Sequence, residues 1–422
     1  MLSTLLIILF IVSYLLIAFE HVITINKAAI ALFFGVLSWV LIMLFSQNTT
    51  QLNESLMLHV SEIAGILFFL MGAMTIVELI DAHNGFDGIT EQLTKVKPLN
   101  LIWLVAIVTF ILSAVLDNLT STILVISLLR KLLPEGKLRL LFTGLVIIAA
   151  NAGGAFSPIG DVTTTMLWIG GQVSSVNLIS AVILPSCINL VLPLLIIYFI
   201  IKKQKLFDGI VINKIVTKKN THSVFILCTG LLILIAVPVF KVIFHLPPFM
   251  GILFGLGLMW CITEIKNGKR EDVDTKNYSV AFALRNIDTP SILFFLGILL
   301  SISALEVSSV LANLAMNLNA TFSSETILLT ITGFLSAVID NVPLVAAYQG
   351  MYHLNDIVAD SYFWHLLAYS SGTGGSILVI GSAAGVVAMG IEKISFMWYL
   401  KHISWLAIAG YLGGIATFIV CN

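Results

Sequence analysis

Long apolar runs separated by short polar ones dominate the chain. Runs of about 17 to 25 apolar residues are long enough to cross a bilayer as helices. They lie near 2–19, 28–45, 58–80, 140–169, 176–201, 222–244, 248–265, 290–316, 363–391 and 395–420, which predicts ten crossings. The first run lacks a basic flank and a small-residue cleavage site, so it reads as a retained helix rather than a removed signal. Two further stretches, 99–133 and 326–352, depart from the pattern because each carries an Asp-Asn pair at its middle, Asp117-Asn118 and Asp340-Asn341. In the second, the arms Thr326–Val338 and Pro343–Tyr352 are shorter than a crossing, and Pro343 lacks the N–H that a continuing helix uses. Both stretches are read as re-entrant hairpins, the arms of the first being nearly long enough to cross.

Composition fixes the class. With 59% hydrophobic and 10% charged residues, against about a quarter charged in soluble domains, the chain is an integral, all-α polytopic membrane protein whose principal partner is the lipid bilayer. The polar segments 202–221 and 266–288 are too short for a soluble domain. The 21 basic and 22 acidic residues leave a net charge of -1, and nothing points to nucleic acid. Cytoplasmic loops carry an excess of Lys and Arg. Placing both termini outside brings Lys27, Lys95, Lys97, Arg130, Lys131, Lys137, Arg139, the 202–219 and 266–285 groups, Lys393 and Lys401 inside, with Lys241 the exception. The expected home is the inner (plasma) membrane, with 202–221 a cytoplasmic linker. Cys187, Cys228, Cys261 and Cys421 stand at no ligand or disulfide spacing, so no cofactor or redox pair is expected.

The chain also repeats itself. Ser113-Ala-Val-Leu-Asp-Asn118 returns as Ser336-Ala-Val-Ile-Asp-Asn341, Phe68-Phe-Leu-Met-Gly72 as Phe294-Phe-Leu-Gly297, and Asn151-Ala-Gly-Gly154 as Gly372-Thr-Gly-Gly375. Three matches in the same order predict two copies, 1–201 and 222–422. Five crossings per copy is odd, so the second copy is expected to lie inverted, the arrangement of secondary transporters that alternate access to a midplane site.

Gly, Ser and Pro are dense in Asn151–Asp161 and in Ser370–Ser376, inside predicted spans, and break a helix there. Broken backbone at membrane depth survives only where it is buried in protein or lines a cavity. The two breaks, in 140–169 and 363–391, and the two hairpin tips therefore predict one shared polar centre. Its candidate cation and proton ligands are Asp117, Asn118, Asn151, Asp161, Thr163, Thr164, Asp340 and Asn341. Glu62, Thr120, Ser157, Ser336, Ser370, Ser371, Thr373 and Ser376 are supporting candidates. Nearly all offer oxygen, the donor that suits a hard cation, and no Lys or Arg falls within a predicted span core. Burial and mutual repulsion favour protonation of neighbouring carboxylates, so a proton and a metal ion would compete for the same oxygens, with Asp117 and Asp161 as the leading Na+ ligands. An intramembrane aspartyl protease also needs paired aspartates, but the internal repeat argues against it; a channel fits the inverted halves less well.

The motifs Leu116-Asp-Asn-Leu-Thr-Ser-Thr122, Asn151–Thr165, Ile339-Asp-Asn-Val-Pro343 and Gly372–Gly381 resemble NhaD-type sodium/proton antiporters, within the superfamily of arsenite and dicarboxylate carriers. The resemblance covers about Glu62 to Gly390. It implies Na+ or Li+ and H+ as substrates, a homodimer, elevator-like movement, and site roles for Glu62, Asp117, Asn151, Asp161, Thr163, Thr164, Ser336, Asn341 and hydroxyls of Ser370–Ser376. Leu116 stands where some members carry a second acidic residue. Dicarboxylate carriers have Ser-Asn-Thr at the hairpin tips, and neither tip here does. The rival expectation on the same fold is a carrier of arsenite or an organic anion.

Overall fold

The computed structural model describes residues 2–18, 23–46, 49–88, 96–208, 221–267, 279–322 and 324–422. Among these there are helices and no strand. The first half contains α1 (Leu2–Ala18), α2 (Lys27–Phe45), α3 (Thr49–Ala82), α4 (Leu101–Leu116), α5 (Asn118–Leu132), α6 (Lys137–Ala155), α7 (Val162–Ile169) and α8 (Ser175–Lys203). The second contains α9 (Thr221–Phe244), α10 (Pro248–Asn267), α11 (Val280–Asn286), α12 (Thr289–Val307), α13 (Val310–Thr321), α14 (Glu325–Ser336), α15 (Asn341–Met351), α16 (Tyr362–Gly374), α17 (Ala383–Glu392), α18 (Phe396–His402) and α19 (Ser404–Cys421). Lys95, most of the 202–221 linker and part of 266–288 lie outside the described residues.

Nine helical segments among the described residues are long and apolar enough to cross a membrane. They include Pro98–Leu116, whose continuation is interrupted at Asp117 (φ 88, ψ 159), after which α5 packs back on α4. Two expected spans are cut. The 290–316 run divides at Ser308-Ser309, where Ser309 is left-handed (φ 59) and ends α12 at Val307. The 395–420 run divides at Ile403, so the last long helix starts at Ser404. Between α17 and α18 the chain bends by 113° at a left-handed Lys393.

Helix α6 is the axis of the polar centre, with nearly every side chain buried. The arms α4 and α5 pack on it, as α14 and α15 pack on α16. Contacts then cross between the halves: α17 lies on α5 and α6, α7 on α15 and α16. Around these, α2 packs on α12, α3 on α10, and α8 on α19. Glycine permits the closest of these approaches. A Cβ on Gly153 would stand 2.2 Å from the Phe110 carbonyl oxygen, and one on Gly374 2.2 Å from that of Gly333, so each broken helix lies directly on the backbone of its hairpin. On one face, Asp360 ties the halves: its N–H donates to the Gln172 carbonyl, and its carboxylate accepts from the Ser174 N–H (2.6 Å) and the Asn177 amide (2.8 Å). Partial burial raises this carboxyl, but those donors and the nearby His365 outweigh it and hold Asp360 below its usual range.

Gly153→Ala should therefore cost about 1–3 kcal/mol of stability by overpacking, seen as a lowered midpoint in thermal unfolding of detergent-purified protein. Gly257→Ala, where an added Cβ meets nothing within 4 Å, should leave the midpoint unchanged. Equal midpoints for the two variants would contradict the packing argument.

Candidate functional site

Four helices start in the middle of the protein. The first turn of a helix has N–H groups without intrahelical partners, and each of these four is closed by a side chain at its N-cap. Asp117 caps α5, its Oδ1 accepting from the Thr120 N–H (2.7 Å) and its Oδ2 from the Thr120 hydroxyl (2.8 Å). Asp161 caps α7 by accepting from the Thr163 N–H (3.4 Å). Asp340 caps α15 through the Val342 N–H (3.3 Å), and Ser382 caps α17 through the Gly385 N–H (3.2 Å). Three of these caps, Asp117, Asp161 and Asp340, line one cavity of about 40 Å³ together with Asn118, Asn341 and Lys27.

A chain of amides joins the tips to the breaks. The Asn118 side-chain amide donates to Asn151 Oδ1 (3.1 Å), and the buried Asn151 Nδ2 donates to the hydroxyls of Ser376 (3.0 Å) and Ser382 (2.9 Å) in the other half. Asn341 donates to Asp161 Oδ2 (3.0 Å). Matching hydroxyls fasten each hairpin to its broken helix: Ser113 donates to the Ala150 carbonyl (2.5 Å) and Ser336 to that of Ser371 (2.6 Å).

The remaining candidates divide by how their hydroxyls are used. Thr164 donates to the Asp161 carbonyl, Ser371 to that of Leu367 and Thr373 to that of Tyr369. Ser157 accepts the Ile159 N–H within the first break. Thr163 and Ser370 are fully buried, the first beside Asp161 and the second beside Tyr411. Glu62 stands apart. Its side chain is 78% exposed, 3.9 Å from His59, and it lines a separate cavity of about 390 Å³ with Glu306, Gln172, Gln349 and His353. That cavity shares no lining residue with the central one.

Three other cavities share lining residues with the centre, one of them a small space of about 20 Å³ against Asp117 and Asp161. A second, of about 620 Å³, shares Lys27, Leu119, Ser291 and Ala383 with it. The third, about 380 Å³, shares Leu119 and is lined by Glu78, Asp81, Asp87, Thr120 and Lys131. The centre thus adjoins cavities on the face that carries Lys131 and shares no lining residue with the one that holds Glu62. Sequence reasoning missed three groups here: Ser382 as a partner of Asn151, Tyr14 of α1 beside Asp340, and Lys27. The Lys27 ammonium lies 4.7 Å from the Phe294 ring centroid, at the rim of the central cavity, so a basic group does reach the centre. A signal was present, since a lysine opening an apolar helix opposes the helix dipole.

The citrate transporter family profile matches residues 14–364. The chain is 46% identical over 419 residues to "Sodium/proton antiporter 1" of Arabidopsis thaliana, covering 98% of this chain and 72% of that protein. It is 28% identical over 448 residues to "Na(+)/H(+) antiporter NhaD" of Alkalimonas amylolytica, covering 98% and 89%. The fold is similar to that of the Alcanivorax borkumensis YdaH transporter, with a TM-score of 0.62 at 12% identity over 94% of this chain and 98% of that one. With its helical membrane fold and a profile match across most of its length, the chain belongs to the citrate transporter family and is a multi-pass membrane transporter, not an enzyme.

Proposed function

We propose that the protein exchanges Na+ or Li+ for H+ across the membrane, cation and proton competing for the carboxylates of the central cavity. The observation that carries this reading is the cavity itself: three aspartates from two hairpin tips and one helix break around about 40 Å³. A water occupies about 30 Å³ in the liquid, so the space suits one small ion. Relatives named as sodium/proton antiporters support the same substrate.

The family's name raises citrate as the second reading, and helix N-termini do attract anions. Here one first-turn N–H of each of the four helices is already taken by its cap, and three of the caps are themselves negative. A tricarboxylate would meet three carboxylates there. In the antiporter reading, Asp117 and Asp161 bind Na+, Asp340 and Asn341 shape the second side, and Asn118, Asn151 and Ser376 set the spacing between hairpins. Neighbouring carboxylates repel one another, so when the cation leaves, a proton takes its place.

The wider mechanism follows from the arrangement. The same order of crossing, hairpin and broken helix in both halves supports an inverted repeat, with hairpins entering from opposite faces. The cavities that adjoin the centre on the Lys131 face, which is the cytoplasmic one by the positive-inside pattern, make this conformation inward-open. Movement of the hairpins and broken helices against α2, α3 and α12 would then carry the site to the cavity holding Glu62 and Glu306. The termini lie outside, and the active form is a homodimer in the plasma membrane.

Reconstituted vesicles with an imposed, acid-inside pH gradient test the substrate. Added Na+ or Li+ should collapse the gradient, and labelled citrate should stay outside; citrate uptake with no response to Na+ would reverse the assignment. Asp161→Asn should reach the membrane in normal amount and bring exchange down to the rate of protein-free vesicles. Asn151→Ala removes the amide that joins Asn118 to Ser376 and Ser382. At about 1–1.5 kcal/mol for a lost hydrogen bond, it should raise the KM for Na+ about tenfold, and an unchanged KM would exclude Asn151 from positioning the site.

A further inference from the structure

Away from the cavity, on the Lys131 face, a carboxylate is buried among arginines. Glu392 is the last residue of α17 and its side chain is 1% exposed. Its Oε2 accepts from Arg139 Nε at 2.8 Å, and its Oε1 lies 3.7 Å from Arg130 Nε. Arg139, in the first turn of α6, is itself 9% exposed, donates to the Leu133 carbonyl (3.2 Å) and lies 3.4 Å from Glu135. Arg130 is in the last turn of α5 and is half exposed. One acidic group from the second half is therefore held by two basic groups from the first.

Local chemistry does not favour a glutamate here. A helix C-terminus carries partial negative charge and prefers cations, and a buried carboxylate without a partner is costly. The three helices that meet at Glu392 are the ones whose other ends form the centre. Helix α5 begins at Asn118 behind Asp117, α6 carries Asn151 in its last turns, and α17 begins behind Ser382. At about 1.5 Å per residue, α17 is a strut of about 15 Å between the ion pair and Ser382.

We propose that Glu392 is a positioning residue of the transport site: its pairing with Arg139 and Arg130 fixes the axial position of α17 against α5 and α6, and so the Ser382–Asn151–Asn118 spacing at the centre. Helix α17 crosses from one half to the other, and its far end turns by 113° into α18. Its register against α5 and α6 thus depends on the ion pair at one end and the Ser382–Asn151 bond at the other. The proposal rests on the antiporter reading for its transport readout, but its structural readout is independent of the substrate.

The test uses full-length Glu392→Gln, Arg139→Gln and the double variant in detergent and in vesicles. Hydrogen–deuterium exchange over 376–385 should accelerate at least fivefold in each single variant, while exchange over 221–267 stays as in the wild type. In vesicles, the KM for Na+ should rise about tenfold with kcat within twofold. The double variant should be no worse than the poorer single one, because both changes remove one brace. Unchanged exchange over 376–385 overturns the proposal whatever the substrate. KM effects that multiply in the double variant overturn it as well. A wild type that fails to respond to Na+ sinks the antiporter reading alone, and the exchange measurement then decides on the brace. If Glu392→Gln does not accumulate, Glu392→Asp keeps the charge and withdraws it by one methylene; it should shift the same two readouts in the same direction, and wild-type values would refute the brace.

Discussion

A helix that begins inside a membrane leaves N–H groups that lipid cannot satisfy, and four helices begin near the centre of this protein. That constraint organises the rest. Each N-terminus needs a side-chain acceptor, and the residues that supply one are Asp117, Asp161, Asp340 and Ser382. Capping therefore places three carboxylates around one small cavity. The breaks and tips can be this close because Gly153 and Gly374 let broken helix and hairpin touch backbone to backbone. Once they touch, Asn151 can reach Ser376 and Ser382, and Asn341 can reach Asp161. Helix capping and ion binding are one arrangement here, not competing explanations of the same aspartates.

The charge balance at the centre decides what sort of ion it can hold. Each helix N-terminus contributes about half a positive charge, so four offset about two of the three carboxylate charges. Lys27 at the rim supplies one more. Such a centre is not the deep negative well that would trap a cation, and a transporter has to release its ion. It also disfavours an anion, because three of the four helix N-termini face the protein's own carboxylates. Loading with either one small cation or a proton changes this balance by the same single charge, which is the electrostatic basis of exchange.

Legibility in the sequence followed the strength of the physical signal. The two Asp-Asn pairs and the Gly-rich runs stood out because charge and helix breakers are expensive in lipid, and they are the residues found at the centre. Glu62 stood out for the same reason, yet well inside α3 it lies exposed to a separate cavity on the other face. The cuts at Ser308-Ser309 and Ile403 were passed over by a hydropathy reading because the polar residues beside them, Glu306 and Lys401-His402, are few within long apolar runs. Lys27 escaped notice because it sits at a span's first residue, where a lysine ordinarily marks the interface. Glu392 falls one residue past the predicted 363–391 span, and only tertiary packing places it beside Arg139.

The two leading aspartates are not equivalent. Asp117 is held in a left-handed conformation (φ 88), a cost of order 1–3 kcal/mol borne where the chain must turn into α5. Both of its oxygens receive short hydrogen bonds from Thr120. Its charge is thus supported by the protein whether or not an ion is bound. Asp161 is more deeply buried, and its Oδ1 receives the Thr163 N–H at the longer distance of 3.4 Å. Its Oδ2 depends on Asn341 from the other half. A carboxylate so placed is held less closely by its own helix than Asp117 is and gains more from a cation or a proton. The ion's main counter-charge in the proposed exchange is therefore Asp161, with Asp117 a fixed second ligand. Asn341, the amide that bridges the halves at that carboxylate, would then sense which of the two is bound.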